Sequence, residues 1–262
     1  MKQRIITGLI LTLIGIPALY FGGIALKLIV LGIALIGVYE FVNCRANGFN
    51  LVLYLVILTF IAFLVFTESN FLIVEIFALL IILFILGITS EKFTIDDISM
   101  DFVFAILFGF TILGILQIYS YGGKLMIFIV IAALICDAGA YFTGYFFGKH
   151  KLNKRISPNK TIEGAIGGWI IGGIAAFIYA YYVLVPLGWF SLNFYLLAST
   201  VLPVTGIVGD LSFSLIKRHY SIKDFGNLFP GHGGVLDRFD SLTFCTVVFE
   251  GLMLAVILVW KN

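Results

Sequence analysis

Nine apolar stretches, each close to the roughly 20 residues needed to cross a hydrocarbon core, run along the chain. They fall at 5–22, 24–42, 51–67, 71–88, 102–119, 125–147, 164–185, 192–216 and 241–260. Turn-forming residues separate several of them: Asn47-Gly48, Glu68-Ser69-Asn70, Tyr121-Gly122-Gly123 and Pro186-Leu187-Gly188. Gly22-Gly23 is all that parts the first two, and Lys27 lies just inside the second. The pattern predicts an all-α, polytopic integral membrane protein of about nine transmembrane helices, forming a single domain over 1–262. Residues 1–120 are mainly apolar helices, and 125–262 carry the polar motifs. The start, Met1-Lys2-Gln3-Arg4 followed by an apolar run, has no small-x-small cleavage site and reads as a retained first span.

Composition agrees with the bilayer as solvent. The chain is 61% hydrophobic and 11% charged, against about a quarter charged in soluble domains. A net charge of +2 says little, but its distribution is informative. With nine spans, thirteen of the sixteen Lys and Arg residues fall on the side of the N-terminus, and Lys27, Lys124 and Lys261 fall on the other. That asymmetry predicts a cytoplasmic N-terminus. It also sets the two charge-rich segments, 148–163 and 217–240, on the cytoplasmic face, where nucleotides are. Cys44, Cys136 and Cys245 are far apart in sequence, share no metal-ligand spacing and read as small buried hydrophobes.

Two carboxylates interrupt apolar segments. A carboxylate at such depth costs a few kcal/mol, so it pairs or lines a polar cavity. Asp137, Tyr141, Gly144 and Gly148 fall on one helical face. Ala140, Gly144 and Gly148 form a four-residue repeat of small residues, answered by Gly164, Gly168 and Gly172, and the two stripes predict close helix packing. Tight packing accounts for the glycines but not for Asp137. Asp210, Ser214, Lys217 and Arg218 form a second polar stripe, which reads either as an internal ion pair or as a metal-binding carboxylate leading to phosphate-binding cations. Glu40, Glu75 and Glu250 lie in apolar surroundings without a motif and read as helix-interface or boundary residues.

The segment 148–163 has five basic residues followed by Ser157-Pro158-Asn159-Lys160-Thr161 and a helix start, the ingredients of an anion site. Segment 217–240 is denser. Pro230-Gly231-His232-Gly233-Gly234 would let backbone approach a phosphate. Asp237 and Asp240 flank Arg238, and hard carboxylate oxygens suit Mg²⁺, which takes one or two carboxylates plus phosphate and water oxygens. Lys217, Arg218, Lys223 and Arg238 could neutralise a triphosphate. A salt-bridged cap is the alternative reading. His150, His219 and His232 are too scattered for zinc.

Ser214-x-x-Lys217-Arg218, Lys223-Asp224-x-Gly226 and His232-Gly233-Gly234-x-x-Asp237-Arg238-x-Asp240 together resemble the signature of the phosphatidate cytidylyltransferases, the CDP-diacylglycerol synthases. Asp137-Ala138-Gly139-Ala140-Tyr141, Ser157 to Gly164 and Gly209-Asp210-Leu211 are similar to further patterns of that family. These motifs cover about 137–241, whereas the N-terminal half matches in hydropathy alone. The resemblance implies cytidylyl transfer from CTP to phosphatidate, giving CDP-diacylglycerol and pyrophosphate. It further implies dependence on Mg²⁺ with a second, monovalent cation such as K⁺ nearby, a homodimer, and an inner-membrane location. By that analogy Asp210 and Asp237 hold the divalent metal. Lys217, Arg218, Lys223, Arg238 and Asp240 complete the catalytic set. Ser157, Lys160, Thr161, Lys223, Asp224, His232, Gly233 and Gly234 meet the nucleotide. Expected partners are CTP, phosphatidate and membrane lipids, with no nucleic acid.

The chain departs from the family pattern at three positions: Phe213 where Glu is usual, Ala138 where Thr or Ser is usual, and Asn159 where Lys is usual. Phe213 removes a carboxylate next to Ser214. Two rival functions remain at this level. One is transfer to an isoprenoid or ether lipid. The other is organic-anion transport, which would call for paired features in both halves, whereas here they crowd into the second.

Overall fold

Without water in the hydrocarbon core, a backbone must satisfy its own N–H and C=O groups, and apolar runs therefore become helices. The computed structural model describes residues 22–45, 48–66, 71–91, 93–229, 231 and 233–261. The first predicted span, 5–22, lies almost wholly outside the described residues, as does His232. The other eight apolar runs are all helices: α1 (Gly23–Asn43), α2 (Leu51–Phe66), α3 (Leu72–Thr89), α4 (Ile95–Tyr121), α5 (Gly123–Phe147), α6 (Ile162–Tyr179), α7 (Leu192–His219) and α8 (Leu236–Lys261). Helix α6 runs on through a wider turn at Ala180–Leu184 and a tight turn at Val185–Leu187. Seven of these helices are long and apolar enough to cross a membrane, and Leu51–Phe66 is a shorter apolar helix.

Three boundaries differ from expectation. Helix α4 starts at Ile95 rather than near 102, because Thr94 and Asp97 form a reciprocal cap: the Thr94 side chain accepts from Asp97 N, and Asp97 accepts from Thr94 N. Helix α8 starts at Leu236 rather than near 241, which puts Asp237, Arg238 and Asp240 on its first turns. Most of the basic 148–163 segment is a small antiparallel hairpin, β1 (Lys151–Asn153) with β2 (Ser157–Thr161). Its turn is held by Asn153 Oδ1, which accepts from Arg155 N at 3.1 Å and Ile156 N at 3.2 Å.

One hydrophobic core runs from Leu26 on α1 to Met253 on α8. Large apolar side chains such as Phe66, Ile73 and Ile88 project outward, as expected of faces that meet lipid. Helices α5 and α6 pack together more extensively than any other pair. The predicted small-residue stripes face each other there: a Cβ on Gly164 would lie 2.7 Å from Ala140 O, and one on Gly168 would lie 2.6 Å from Cys136 O. Cys136 and Cys245 are buried free thiols, as read from the sequence, and Cys44 is partly buried.

Candidate active site

Each polar segment is fastened to the same end of the bundle by its own side chains. Thr161 caps α6 by accepting from Gly164 N at 3.1 Å. Two residues on, in the first turn, the Glu163 carboxylate accepts from Lys149 N at 3.1 Å and from His150 N at 3.2 Å, and meets His150 Nδ1 at 2.6 Å. The base of the hairpin is thereby clamped to α6. Arg218, at the end of α7, donates through Nε to Ile156 O at 3.2 Å and through Nη1 to Ile222 O at 2.9 Å. It ties the hairpin to the loop that precedes α8.

That loop is closed from within. Asp237 Oδ2 accepts from Phe225 N at 2.8 Å and Gly234 N at 3.0 Å, and Oδ1 pairs with Lys217 Nζ at 2.8 Å. A side chain on Gly233 would collide with Asp237, its Cβ lying 2.7 Å from Oδ2, and its φ of +81° favours glycine independently. From α1, Glu40 Oε1 accepts from Val235 N and Oε2 from Leu236 N, both at 2.9 Å. Cβ atoms on Gly226 or Gly234 would collide with the same carboxylate. The glycines read as a phosphate cradle are thus packed against two acidic side chains.

Between these pieces lies a cavity of about 590 Å³. Its walls carry Asp137, Tyr141, Gly144 and Tyr145 from α5, Lys151 from β1, and Asn159, Lys160 and Thr161 from β2. Asp210 from α7, and Asp237, Arg238 and Asp240 from α8, complete the polar lining. Lys160 is ion-paired with Asp210, whose Oδ1 also accepts from Ser214 Oγ at 3.3 Å. Ser241 Oγ donates to Asp137 Oδ2 at 3.2 Å. Asp137, Asp210 and Asp240 line the same cavity. Gly209 permits this convergence, since a Cβ there would meet Asp240 O at 2.6 Å.

Of the residues singled out from sequence, Lys160, Thr161, Asp210, Asp237, Arg238 and Asp240 come together on the cavity wall. Lys217 is buried behind Asp237, with Nζ 5.7 Å from the Phe225 ring centroid. Arg218 holds hairpin and loop. Ser157 is partly buried in β2, and Lys223 and Asp224 are exposed on the loop. Gly233 and Gly234 back the carboxylates. Sequence reading took Glu40 as a helix-interface or boundary residue, counted Lys151 only as part of the basic segment 148–163, and did not single out Tyr145. The signal for Glu40 was a carboxylate in an apolar helix, but its partner lies 195 residues away. Phe213 is fully buried and packs edge-on to Phe225 at 6.0 Å, so this departure from the family pattern points into the core.

Four carboxylates and three cations on one wall form a site for a polyanion and a hard cation. Among the described residues no three metal-ligating side chains converge into a preformed cage. The hard oxygen donors still fit Mg²⁺, which needs one or two carboxylates with water and substrate oxygens.

Fold and cavity together describe a helical bundle with membrane-length apolar helices and one charged cavity among the described residues. The chain belongs to the cytidylyltransferase family, whose sequence profile matches residues 2–256. It is 32% identical to the phosphatidate cytidylyltransferase of Bacillus subtilis (strain 168) over 256 residues, covering 93% of this chain and 94% of that one. It is 33% identical to the phosphatidate cytidylyltransferase of Staphylococcus haemolyticus (strain JCSC1435) over 265 residues, covering 97% and 99%. Identity to the enzyme of that name from Staphylococcus aureus (strain COL) is 30% over 263 residues, with the same coverage.

Proposed function

We propose that the protein transfers the cytidylyl group of CTP to phosphatidate, giving CDP-diacylglycerol and pyrophosphate. The observation that carries this reading is the acidic, lysine-lined cavity at one end of an apolar bundle, in a chain related over nearly its whole length to phosphatidate cytidylyltransferases. In the reaction a phosphatidate phosphate oxygen bonds to the α-phosphorus of CTP, and the bond from that phosphorus to the β-phosphate bridging oxygen breaks. The electron pair leaves with pyrophosphate. A phosphate monoester has its second pKa near 6, so at pH 7 it is already mostly dianionic and needs no strong base.

The work left to the protein is alignment and charge neutralisation. Lys160 and Arg238 stand on the wall where phosphate oxygens would lie, and Lys151 extends that cationic edge along the hairpin. Ser157, Thr161, Lys223, Asp224, His232, Gly233 and Gly234, with Lys160, form the nucleotide side of the proposed site. Lys217 and Arg218 hold the loop and hairpin in place. Asp210 and Asp237 would hold Mg²⁺, with Asp240 beside them, and a monovalent cation such as K⁺ is the proposed second ion. When bound, the divalent ion supplies positive charge to triphosphate oxygens. Apolar tails of the lipid remain among the helices while its head group reaches the cavity.

The reading includes a homodimer in the inner, cytoplasmic membrane, with the N-terminus and cavity facing the cytoplasm. The basic-residue asymmetry supports that orientation. Purified protein incubated with labelled CTP, Mg²⁺ and a panel of lipid phosphates tests the function. Labelled CDP-diacylglycerol formed from phosphatidate, with stoichiometric pyrophosphate, is expected. Label transferred solely to an isoprenoid or ether-lipid phosphate would overturn the acceptor, and anion counterflow without CTP consumption would overturn the reaction class.

A further inference from the structure

We infer that Glu40, on α1, is a positioning residue for the reaction: it supplies the N-terminal cap of α8 and thereby fixes where Asp237, Arg238 and Asp240 stand. The inference rests on the cytidylyl-transfer reading for its kinetic consequence, but its structural part stands independently. The first backbone N–H groups of a helix have no partner within it, and a short polar side chain just before the first turn usually takes one of them. Here the adjacent residues are Gly233, Gly234 and Val235, none of which carries such a group. The cap comes from another helix. Both Glu40 oxygens are used, one on Val235 N and one on Leu236 N, at 2.9 Å each. The residue is 4% exposed.

Three features mark this as a built contact. Gly226 and Gly234 leave the space that the carboxylate fills, since a Cβ on either would overlap it. A full negative charge at a helix N-terminus is the favourable sign for the helix dipole. The neighbouring amides of Gly234 and Phe225 are taken by Asp237. Two carboxylates therefore engage consecutive N–H groups 234–236 at the entry to α8. Those three amides are not open to phosphate. Asp237 in turn has its own oxygens set by the same turn, so any loosening of the Glu40 contact reaches the cavity through Asp237.

The test uses the full-length protein in detergent with Glu40→Gln, which keeps the side chain's size but sets an amide NH₂ against a backbone N–H. Hydrogen–deuterium exchange over residues 229–241 should accelerate about tenfold or more, because lost protection reports local opening. The kcat should fall about tenfold or more while the KM for CTP moves less than about threefold, the split expected when alignment is lost but ground-state binding is kept. Gly226→Ala crowds the carboxylate without removing it, and should reproduce both effects. The double variant should be no worse than the stronger single one within about threefold, as for two changes acting on one contact. Where Glu40→Gln fails to fold, Gly226→Ala decides alone. Faster exchange with wild-type kcat would overturn the positioning role, and reduced kcat with unchanged exchange would overturn the cap. Absence of cytidylyl transfer in the wild type would instead refute the proposed function and leave the exchange result standing.

Discussion

Two concavities of similar size lie in opposite halves of the chain, and they are built from different chemistry. The groove between α2 and α3, about 670 Å³, is walled by Val52, Leu55, Phe63, Val74, Leu79 and Ile82, with Glu75 among them. The cavity bounded by α5, the hairpin, α7 and α8, about 590 Å³, is walled by four carboxylates and three cations. Volume therefore does not distinguish a site from a lipid-facing hollow. What distinguishes them is the hardware behind the wall. The N-terminal half is packed mainly by apolar and aromatic contacts, as in Phe41 on Phe104 at 3.7 Å and Phe104 on Phe108 at 5.2 Å, together with the Arg45–Asp101 ion pair, which lies away from the groove lining. The polar cavity is backed by ion pairs, capped amides and helices brought close by glycine.

The sharpest test of that contrast is Asp210→Asn. It removes a wall charge whose partner, Lys160 on the hairpin, is partly exposed. Turnover should therefore drop by about a thousandfold while the melting temperature of the detergent-solubilised protein shifts little, as for a partly solvated pair. A comparable loss of stability would make Asp210 a structural ion-pair member instead. Next comes the ion pair of the N-terminal half, Arg45 with Asp101, where Asp101 is fully buried. Arg45→Met leaves a buried charge unpaired and should cost about 3 kcal/mol in denaturant or thermal unfolding. Replacing both partners by apolar residues should restore most of it, with kcat/KM unchanged in either case.

Gly168→Val drives a methyl-bearing carbon into the Cys136 carbonyl across the α5–α6 seam. Overpacking there should cost about 2 kcal/mol, read by thermal unfolding, and should also lower activity because α5 carries Asp137. The smallest effect belongs to Thr161→Ala. Loss of its cap on α6 should cost about 1 kcal/mol, with Thr161→Ser close to wild type.

Helix positions were readable because a bilayer allows few alternatives: eight of the nine apolar runs are helices, with the first outside the described residues. Errors fell where a polar stretch belongs to a helix through a remote partner. Residues 95–101 look like a loop because Asp96, Asp97 and Asp101 interrupt them, yet Asp101 is buried against Arg45, 56 residues away. The hairpin was hidden because its strands are three and five residues long and carry no alternating apolar pattern. Acidic and basic wall residues were visible as charges in an apolar chain. The role of Gly226 and Gly234 was not, since spacing cannot reveal that a glutamate from α1 fills the room beside them.

The pairing of Lys160 with Asp210 and of Lys217 with Asp237 also bears on how two acids are tolerated at the end of an apolar helix bundle. Each of these two acids keeps an in-house counter-ion, so part of the chamber's charge is arranged as zwitterions rather than as bare negative charge. Under the proposed function, an incoming polyanion with its accompanying cations would swap partners with groups already paired with one another. On that reading docking is an exchange of salt bridges, in which ions already neutralised inside the protein trade one counter-charge for another.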